Sequence, residues 1–378
     1  MHSKLPNIGT TIFTTMSQLA QEHDAINLSQ GFPNFMPDEK LIKLAQNVFS
    51  THRNQYAPLG GLPELRQKLV SKIETLHHHT YDWQTEITIT AGATQAIFTA
   101  ITALIQQDDE VIVFKPAYDC YEPAVELCGG RIIPIQLAAP HYDIPWDRVK
   151  ELISEKTKLI IVNNPHNPSG YVWTSEDFKN LKDTLSNTSA YVLSDEVYEH
   201  MVFDHKRHIS ICEDEELAQR SIITYSFGKT YHVTGWKLGY ATAPKSMMKE
   251  FRKVHQYNVF CVNHPLQYAL SQILDEPSHY MELSHFYKQK RDYFLELVKD
   301  SRFKFVPTQG TYFQMVDYSE ISDLPDEEFC LELIKKHKLA AIPVSVFNHK
   351  NLQQGHIRFC FAKTDETLEK AAEIINKI

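Results

Sequence analysis

A lysine in a turn of small residues is the side chain of this sequence that most suggests covalent chemistry. Lys229 lies in the segment SFGKTYHVTGWKLGY (226–240), directly after the apolar run that ends at Tyr225. An amine that a strand delivers into such a turn can form a covalent bond with the aldehyde of a cofactor. A phosphate-binding loop of an NTPase is excluded, because that motif requires a glycine five residues before Gly228 and this position holds Ile223.

A carboxylate at the end of another apolar run is a suitable partner for such a cofactor. Asp195 lies in the segment SDEVYEH (194–200). A buried carboxylate is costly without a cation, and a protonated pyridine nitrogen provides one. Tyr198, in the same segment, can donate a hydrogen bond to a phenolate oxygen of that ring. The chain between Asp195 and Lys229 is long enough for a helical crossover and a strand, so both residues can flank one ligand.

Three other segments place suitable residues directly after apolar runs. TAGATQA (90–96) brings small residues to a helix start, where free amides bind phosphate, although an ordinary strand-to-helix turn fits equally well. KPAY (115–118) presents Tyr118, either as a ring that stacks on a planar cofactor or as a packing aromatic. NNPHNPSG (163–170) contains two Asn-Pro steps, which extend the backbone and hold an amide side chain in place.

The elements that must position these residues are predicted by an alternation of short apolar runs and helical patterns. The predicted strands are 87–90, 110–114, 131–135, 158–162, 191–194, 221–225 and 239–242. The predicted helices are 37–50, 61–75, 94–106, 176–185 and 244–257. This alternation indicates an α/β domain with a mostly parallel seven-stranded sheet that helices cover on both faces.

The pattern changes after residue 277, which indicates a second, smaller α/β domain. A long amphipathic stretch to residue 300 precedes predicted strands at 304–306, 311–317 and 356–361 and a helix at 326–337. We therefore divide the chain into an N-terminal segment (1–45) that joins the small domain, a large cofactor-binding domain (46–275) and a small C-terminal domain (276–378).

Composition excludes several classes of partner. The 378 residues carry a net charge of -9 with positive and negative side chains interspersed, so we expect no nucleic-acid partner. Residues 1–18 show no signal-peptide pattern and no apolar run is long enough to span a bilayer, so we expect a cytoplasmic protein without a membrane partner. The six cysteines form no CxxC pair, and the run His77-His78-His79 lacks a carboxylate or thiol at ligand spacing. We predict no metal site and a solvated loop at these histidines.

Taken together, six motifs make the sequence resemble a known family. They are SFGKTYHVTGWKLGY, NNPHNPSG, SDEVYEH, TAGATQA, SQGFPNF (29–35) and IRFCFAK (357–363). Over about residues 10–363 the chain is similar to the fold-type I pyridoxal-phosphate aminotransferases of class I and II, above all to the group of bacterial methionine aminotransferases and kynurenine aminotransferases. The resemblance implies pyridoxal 5'-phosphate as the cofactor, covalently bound to Lys229.

The resemblance also assigns cofactor-binding roles to individual residues. Asp195 would pair with the pyridine nitrogen, Tyr198 and Asn167 would bind the ring oxygen, and Tyr118 would stack on the ring. The phosphate would be held by Gly92, Ala93, Thr94, Ser226, Lys237 and, from the partner subunit, Tyr56. Shared active sites in a homodimer follow from the last assignment. Lys237 stands where many relatives carry arginine. The phosphate would therefore meet the point charge of an ammonium group instead of the bidentate fork of a guanidinium.

For the substrate, the resemblance implies a carboxylate clamp and an apolar pocket. Arg358 would bind the α-carboxylate with help from Asn167, and Phe13, Gly31, Phe32 and Tyr56 match pocket positions. These residues offer no second cation, so methionine and aromatic or histidine-like amino acids are the expected donors to a 2-oxo acid in a ping-pong cycle.

Three alternatives to this function remain open. A carbon-sulfur β-lyase on the same fold would share Lys229 and Asp195. A non-catalytic effector-binding module of the kind fused to DNA-binding domains is disfavoured, because the segment before residue 27 is too short for a winged helix and the catalytic set is complete. A catalytically dead homologue is the third.

Overall fold

The helices and strands of the chain are defined in a computed structural model that describes residues 2–6 and 8–378; Met1 and Asn7, part of the predicted N-terminal segment, lie outside the described residues. The helices are α1 (Ile12–Glu22), α2 (Glu39–Phe49), α3 (Pro63–His77), α4 (Gly92–Leu104), α5 (Tyr121–Leu127), α6 (Trp146–Leu152), α7 (Ser175–Leu185), α8 (Glu215–Ala218), α9 (Phe227–Thr230), α10 (Lys245–Asn258), α11 (His264–Ile273), α12 (Ser278–Met281), α13 (Leu283–Val298), α14 (Asp326–His337) and α15 (Asp365–Ile375). The strands are β1 (Ile26–Asn27), β2 (Ile87–Thr90), β3 (Glu110–Lys115), β4 (Arg131–Gln136), β5 (Thr157–Asn163), β6 (Tyr191–Asp195), β7 (Ser221–Ser226), β8 (Gly239–Thr242), β9 (Phe313–Asp317), β10 (Leu339–Ala340), β11 (Ile342–Pro343) and β12 (His356–Cys360).

The large sheet has seven strands in the order β2-β8-β7-β6-β5-β3-β4. Strands β3 to β7 run parallel to one another, and β8 runs antiparallel to both of its neighbours. Successive residues of a strand point to opposite faces, and both faces are covered: Ile112 packs in one core and Val113 in the other. Because both faces are buried, the strands read as unbroken apolar runs. The predicted seven-stranded, mostly parallel sheet is confirmed.

The smaller α/β layer joins the two ends of the chain. Strands β11, β12 and β9 form an antiparallel sheet, and the N-terminal strand β1 pairs in parallel with β10. Met16, Ala20 and Leu28 pack in the same core as the apolar sides of α13, α14 and α15. Helix α2 instead packs through Leu41 and Ala45 on the core of the large sheet. The domain boundaries at residues 45 and 275 stay predictions.

Several local expectations differ from the structure. The strand predicted at 304–306 is reduced to a single bridge between Lys304 and Asp317. Strands β1, β10 and β11 escape sequence detection because two residues carry no periodic signal. The solvated loop predicted at the histidine run is wrong for His77, which is the last residue of α3 and is buried; His78 ends the helix in the left-handed conformation.

In the ranges 2–6 and 8–378, no group of three or more His, Cys, Asp or Glu side chains could hold a metal ion. Within those same ranges, no helix is long and apolar enough to cross a membrane.

Candidate active site

The carboxyl ends of the parallel strands β5, β6 and β7 meet at one cavity of about 220 Å³. Ligands of open α/β sheets bind at this edge, because the strands release their loops there. The predicted site residues that line the cavity are Phe13, Gly31, Gly92, Ala93, Thr94, Tyr118, Asn167, Asp195, Tyr198, Ser226, Lys229, Lys237 and Arg358. Residues more than 300 positions apart in the chain therefore surround one space.

Lys229 reaches the cavity from the short helix α9 that follows β7. The hydroxyl of Ser226 caps this helix and accepts a hydrogen bond from the backbone N–H of Lys229 at 3.3 Å. The Nζ atom of Lys229 lies 2.9 Å from the hydroxyl of Tyr312 and 3.3 Å from the carbonyl oxygen of Gly31. Burial, together with the positive charge of Arg358, lowers the pKa of Lys229 to about 8. At a pKa of about 8, about a tenth of the amine is neutral at pH 7.

Asp195 ends β6 with its side chain buried. Its Oδ2 atom accepts a hydrogen bond of 2.6 Å from the hydroxyl of Tyr121. Burial raises the pKa of Asp195 to about 6, although the Tyr121 hydrogen bond opposes the shift. Such a carboxylate is energetically suited to a cationic partner that enters the cavity.

An anion cradle lies beside these two residues, at the start of α4. The N-cap residue Ala91 gives this helix no side-chain cap, so the positive end of the helix faces the cavity. Gly92 has φ +77°, and a Cβ built on it would lie 3.6 Å from the Nζ atom of Lys237. Lys237 itself follows the 3-10 turn Thr234–Trp236 in the left-handed conformation, which directs its ammonium group to the helix start.

Arg358 and Asn167 form the opposite wall of the cavity. Arg358 is 1% exposed, and its guanidinium donates to Oδ1 of Asn167 at 2.9 Å and to the carbonyl oxygen of Ser29 at 3.3 Å. Among the described residues its Nε atom has no hydrogen-bond partner, and the centroid of the Phe313 ring lies 3.8 Å from its Cζ atom. Asn167 is in turn oriented by Asn163, whose Oδ1 accepts its backbone N–H at 2.7 Å. A buried guanidinium with an unpartnered nitrogen is suited to bind a carboxylate.

Two predicted site residues lie away from the cavity of their own chain. Phe32 is half-exposed, and its ring packs near the ammonium of Lys363 at a separate depression. Tyr56 is 82% exposed and contacts the ring of Phe260 edge-on at 5.3 Å. The single chain thus leaves the Tyr56 hydroxyl free for a neighbouring molecule.

Sequence reasoning missed two tyrosines that contact the central residues. Tyr121 begins α5 one turn after Tyr118, and a second aromatic residue in DCYEP was the available signal. Tyr312 precedes β9, and nothing local to GTYF indicates that its hydroxyl meets a lysine 83 residues earlier in the chain.

The residues of the cavity fit pyridoxal 5'-phosphate. The uncapped helix start and Lys237 suit its phosphate, the buried carboxylate of Asp195 suits its ring nitrogen, and the amine of Lys229 suits its aldehyde.

Comparisons with known proteins agree with this fit. Residues 23–375 match the family model described as aminotransferase class I and II. The chain is 47% identical to methionine aminotransferase of Escherichia coli over 377 residues, which cover 100% of this chain and 98% of that protein. It is 34% identical to human kynurenine--oxoglutarate transaminase 3, with 98% and 89% of the two chains covered. The crystal structure of YbdL from E. coli, described as having a methionine aminotransferase function, superposes with a TM-score of 0.97 at 46% identity and covers 100% of this chain and 99% of that one.

Proposed function

Since the chain belongs to the aminotransferases of class I and II, which use pyridoxal phosphate, we propose that it transfers the amino group of methionine and of aromatic or histidine-like amino acids to a 2-oxo acid. We further propose that the cofactor is bound covalently to Lys229. The observation that carries the proposal is the meeting, in one cavity, of a lysine with lowered pKa, a buried carboxylate and a buried arginine with an unpartnered nitrogen.

Bound pyridoxal phosphate supplies an aldehyde that captures an amine and a ring that accepts the electrons released when the substrate Cα loses its proton. In the proposed site, Asp195 keeps the ring nitrogen protonated, which requires its carboxylate to remain ionised. Tyr198 and the Nδ2 group of Asn167 would donate hydrogen bonds to the ring oxygen, and Tyr118 would pack against the ring. The Oδ1 atom of Asn167 is already engaged by Arg358, which leaves Nδ2 as the free donor.

Lys229 has two proposed tasks, and both require a neutral amine. Its amine would hold the cofactor, and the free Nζ would take the proton from the substrate Cα and return it to the carbon on the cofactor side of the amino nitrogen. Arg358 fixes the α-carboxylate, so that the Cα–H bond of the substrate faces Lys229. A second substrate, the 2-oxo acid, reverses these steps and gives the ping-pong order.

The preference for donors without a second carboxylate follows from the cations of the cavity. Over residues 2–6 and 8–378, the cationic side chains that line it are Lys229, Lys237 and Arg358. Each has a proposed partner in the cofactor or the α-carboxylate, so none is left for an acidic side chain. The ring of Phe13, stacked on Phe347 at 5.6 Å, gives the remaining wall an aromatic surface. The names of the E. coli and human relatives support the same donor class.

We also propose a homodimer in which Tyr56 completes the phosphate site of the partner subunit. Its exposure and that of Phe260 beside it support the proposal, because a large exposed aromatic pair is typical of an interface. Sedimentation analysis with Tyr56→Phe tests it: we expect an unchanged dimer with weaker cofactor retention. A monomeric wild-type enzyme with full activity would contradict it.

The covalent link is tested by reduction of the cofactor-loaded protein with borohydride, digestion and mass analysis. We expect the cofactor on the peptide that contains Lys229, with Lys237→Gln as a matched control that retains the link. Lys229→Ala should lose both the link and turnover. Cofactor on another lysine would overturn the assignment.

The donor preference is tested by a matrix of donors and 2-oxo acids. We expect methionine and aromatic donors to be turned over faster than aspartate, and a preference for aspartate would contradict the proposal. The β-lyase alternative, which the relatives do not favour, requires pyruvate and ammonia from cystathionine at a rate that exceeds transamination.

A further inference from the structure

The hydroxyl of Tyr312 contacts the amine of Lys229 from outside the ring of residues that line the cavity. Tyr312 is fully buried in the turn that precedes β9. Its hydroxyl donates to the carbonyl oxygen of Gly31 at 2.5 Å and lies 2.9 Å from Nζ of Lys229. Because its hydrogen is engaged by Gly31, the hydroxyl can only accept a hydrogen bond from Lys229.

Packing holds this hydroxyl in a fixed position. The ring of Tyr312 meets the rings of Tyr198, Tyr287 and Phe313 at centroid distances of 5.3, 5.6 and 4.9 Å. The preceding residue, Thr311, has φ +65°, and its backbone N–H is bound by the carbonyl oxygen of Met201. The hydroxyl of Tyr312 is therefore held in the position from which it accepts the hydrogen bond of Lys229.

We propose that Tyr312 is a positioning residue for Lys229: its hydroxyl and the Gly31 carbonyl hold the lysine amine after release from the cofactor and stabilise it while it carries the Cα proton. The proton that leaves Cα bonds to the Nζ lone pair and makes an ammonium group. Two of its three N–H groups donate hydrogen bonds to the Tyr312 hydroxyl and the Gly31 carbonyl oxygen, and the third remains free to return the proton. This inference rests on the proposed role of Lys229.

Other charged groups face Lys229, but they do not replace these two acceptors. Arg358 and Cys360 face it from β12, Asp195 from β6, and Lys237 from the loop before β8. In the part of the chain that the structure describes, the hydrogen-bond acceptors of Nζ are Tyr312 and Gly31. Removal of one acceptor should therefore change the protonation of the lysine and leave the other neighbours in place.

A matched control lies in the same aromatic cluster. Tyr287 is as deeply buried as Tyr312, and within residues 2–6 and 8–378 its hydroxyl has no hydrogen-bond partner. Tyr287→Phe and Tyr312→Phe each remove one oxygen from a buried ring, and only the second removes a contact with Lys229. Thermal melting of both apoproteins checks that each variant is folded.

The first measurement needs no turnover. The rate at which the apoenzyme captures pyridoxal phosphate is followed against pH, since only the neutral amine reacts with the aldehyde. An acceptor stabilises the ammonium form, so its loss favours the neutral amine. We expect Tyr312→Phe to lower the midpoint by about half to one pH unit and Tyr287→Phe to leave it unchanged. Replacement of Tyr312 by 3-fluorotyrosine, which weakens the acceptor without removing an atom, should shift the midpoint in the same direction by less.

The second measurement follows the first half of the reaction in a single turnover with methionine and with methionine deuterated at Cα. We expect Tyr312→Phe to slow this step about 10-fold and to raise its isotope effect, with the dissociation constant of methionine within about twofold of wild type. An unshifted capture midpoint with a wild-type isotope effect, or equal changes in Tyr287→Phe, would overturn the inference. Reduced cofactor on a peptide without Lys229 would instead overturn the proposed function.

Discussion

Two groups of buried ionisable residues flank the same short segment, 194–200, and they differ in whether their charges are satisfied. We call Asp195, Lys229 and Arg358 the cavity cluster. Burial raises the pKa of Asp195 and lowers the pKa values of Lys229 and Arg358, so each charged form is disfavoured. A bound ligand with complementary charges would offset the cost of burying these charged side chains.

The second group, the buried ionic cluster, comprises Lys72, His77, Glu199 and Glu213. Lys72 lies 2.7 Å from Glu199, and His77 lies 3.1 Å from Glu213 and 3.8 Å from Glu199. Burial opposes ionisation of Glu199, but contact with the His200 ring and the positive charge of Lys72 outweigh it and hold the pKa of Glu199 well below its ordinary value. Burial likewise opposes protonation of His77, yet the hydrogen bond between its Nδ1 and Glu213, together with the negative charge of Glu199, raises its pKa to about 9.

The direction of the pKa shifts distinguishes a binding site from a structural ion cluster. Most members of both groups are buried, Lys229 and Glu213 are partly buried, and each group includes a residue near the end of β6. In the cavity cluster the shifts disfavour charge, whereas in the buried ionic cluster they favour it. Substitutions in the first should therefore cost activity, and substitutions in the second should cost stability.

The largest expected effect is on activity, from Asp195→Asn. An amide cannot pair with a protonated ring nitrogen, so we expect transamination of methionine to fall about 1,000-fold. Above pH 6 the folded apoprotein carries the ionised form of Asp195, and burial of this charge costs stability. The variant, which lacks the charge, should therefore be about 1 to 3 kcal/mol more stable than wild type at pH 7.5. Urea unfolding of the apoproteins measures this, and a less stable variant would contradict the distinction between the clusters.

The opposite pattern is expected for Glu199→Gln. The change leaves the ammonium of Lys72 buried without its carboxylate, and we expect a loss of about 3 to 5 kcal/mol in the free energy of unfolding. Activity per folded molecule should remain within about threefold of wild type, since Glu199 does not line the cavity. Glu39→Gln, in the exposed pair with Lys43, is the control and should cost less than about 0.5 kcal/mol. Equal losses in the two variants would break the comparison.

A smaller effect on activity is expected for Arg358→Lys, which keeps the charge and removes the planar fork. We expect kcat/KM for methionine to fall about 10- to 100-fold. The reaction with 3-(methylthio)propylamine, which has no carboxylate, should be equally slow in both enzymes. If the variant slowed the amine as much as methionine, Arg358 would not act through the α-carboxylate.

The smallest expected effect concerns the pH dependence of stability at His77. Its pKa rises from 6.5 in the unfolded chain to about 9 in the folded one, so its contribution is complete below pH 6.5 and is lost as pH rises through 9. The difference in unfolding free energy between wild type and His77→Gln should shrink by about 1 to 3 kcal/mol between pH 6 and pH 10. A difference that does not vary with pH would mean that His77 is uncharged.

Local patterns predicted the large sheet and the residues at its edge. Each of the seven strands could be read from its own short run of residues, and the segments that carry Asp195, Asn167 and Lys229 begin where such runs end. The histidine run misled the prediction, because three polar letters do not reveal that the last residue of α3 faces Glu199 and Glu213. Two-residue strands such as β1 were equally beyond local patterns, since pairing with β10 alone defines them.

Local sequence sets which side chains stand at the strand ends, because a strand is a local pattern and its carboxyl end follows from chain direction. Which of these groups are paired depends on the three-dimensional packing of distant segments. Arg358 meets Asn167 across 191 positions of the chain, Tyr121 meets Asp195 across 74, and Tyr312 meets Lys229 across 83. Hydrogen bonding and burial act through space, so the protonation of Lys229 and Asp195 is fixed by residues that no local pattern connects to them.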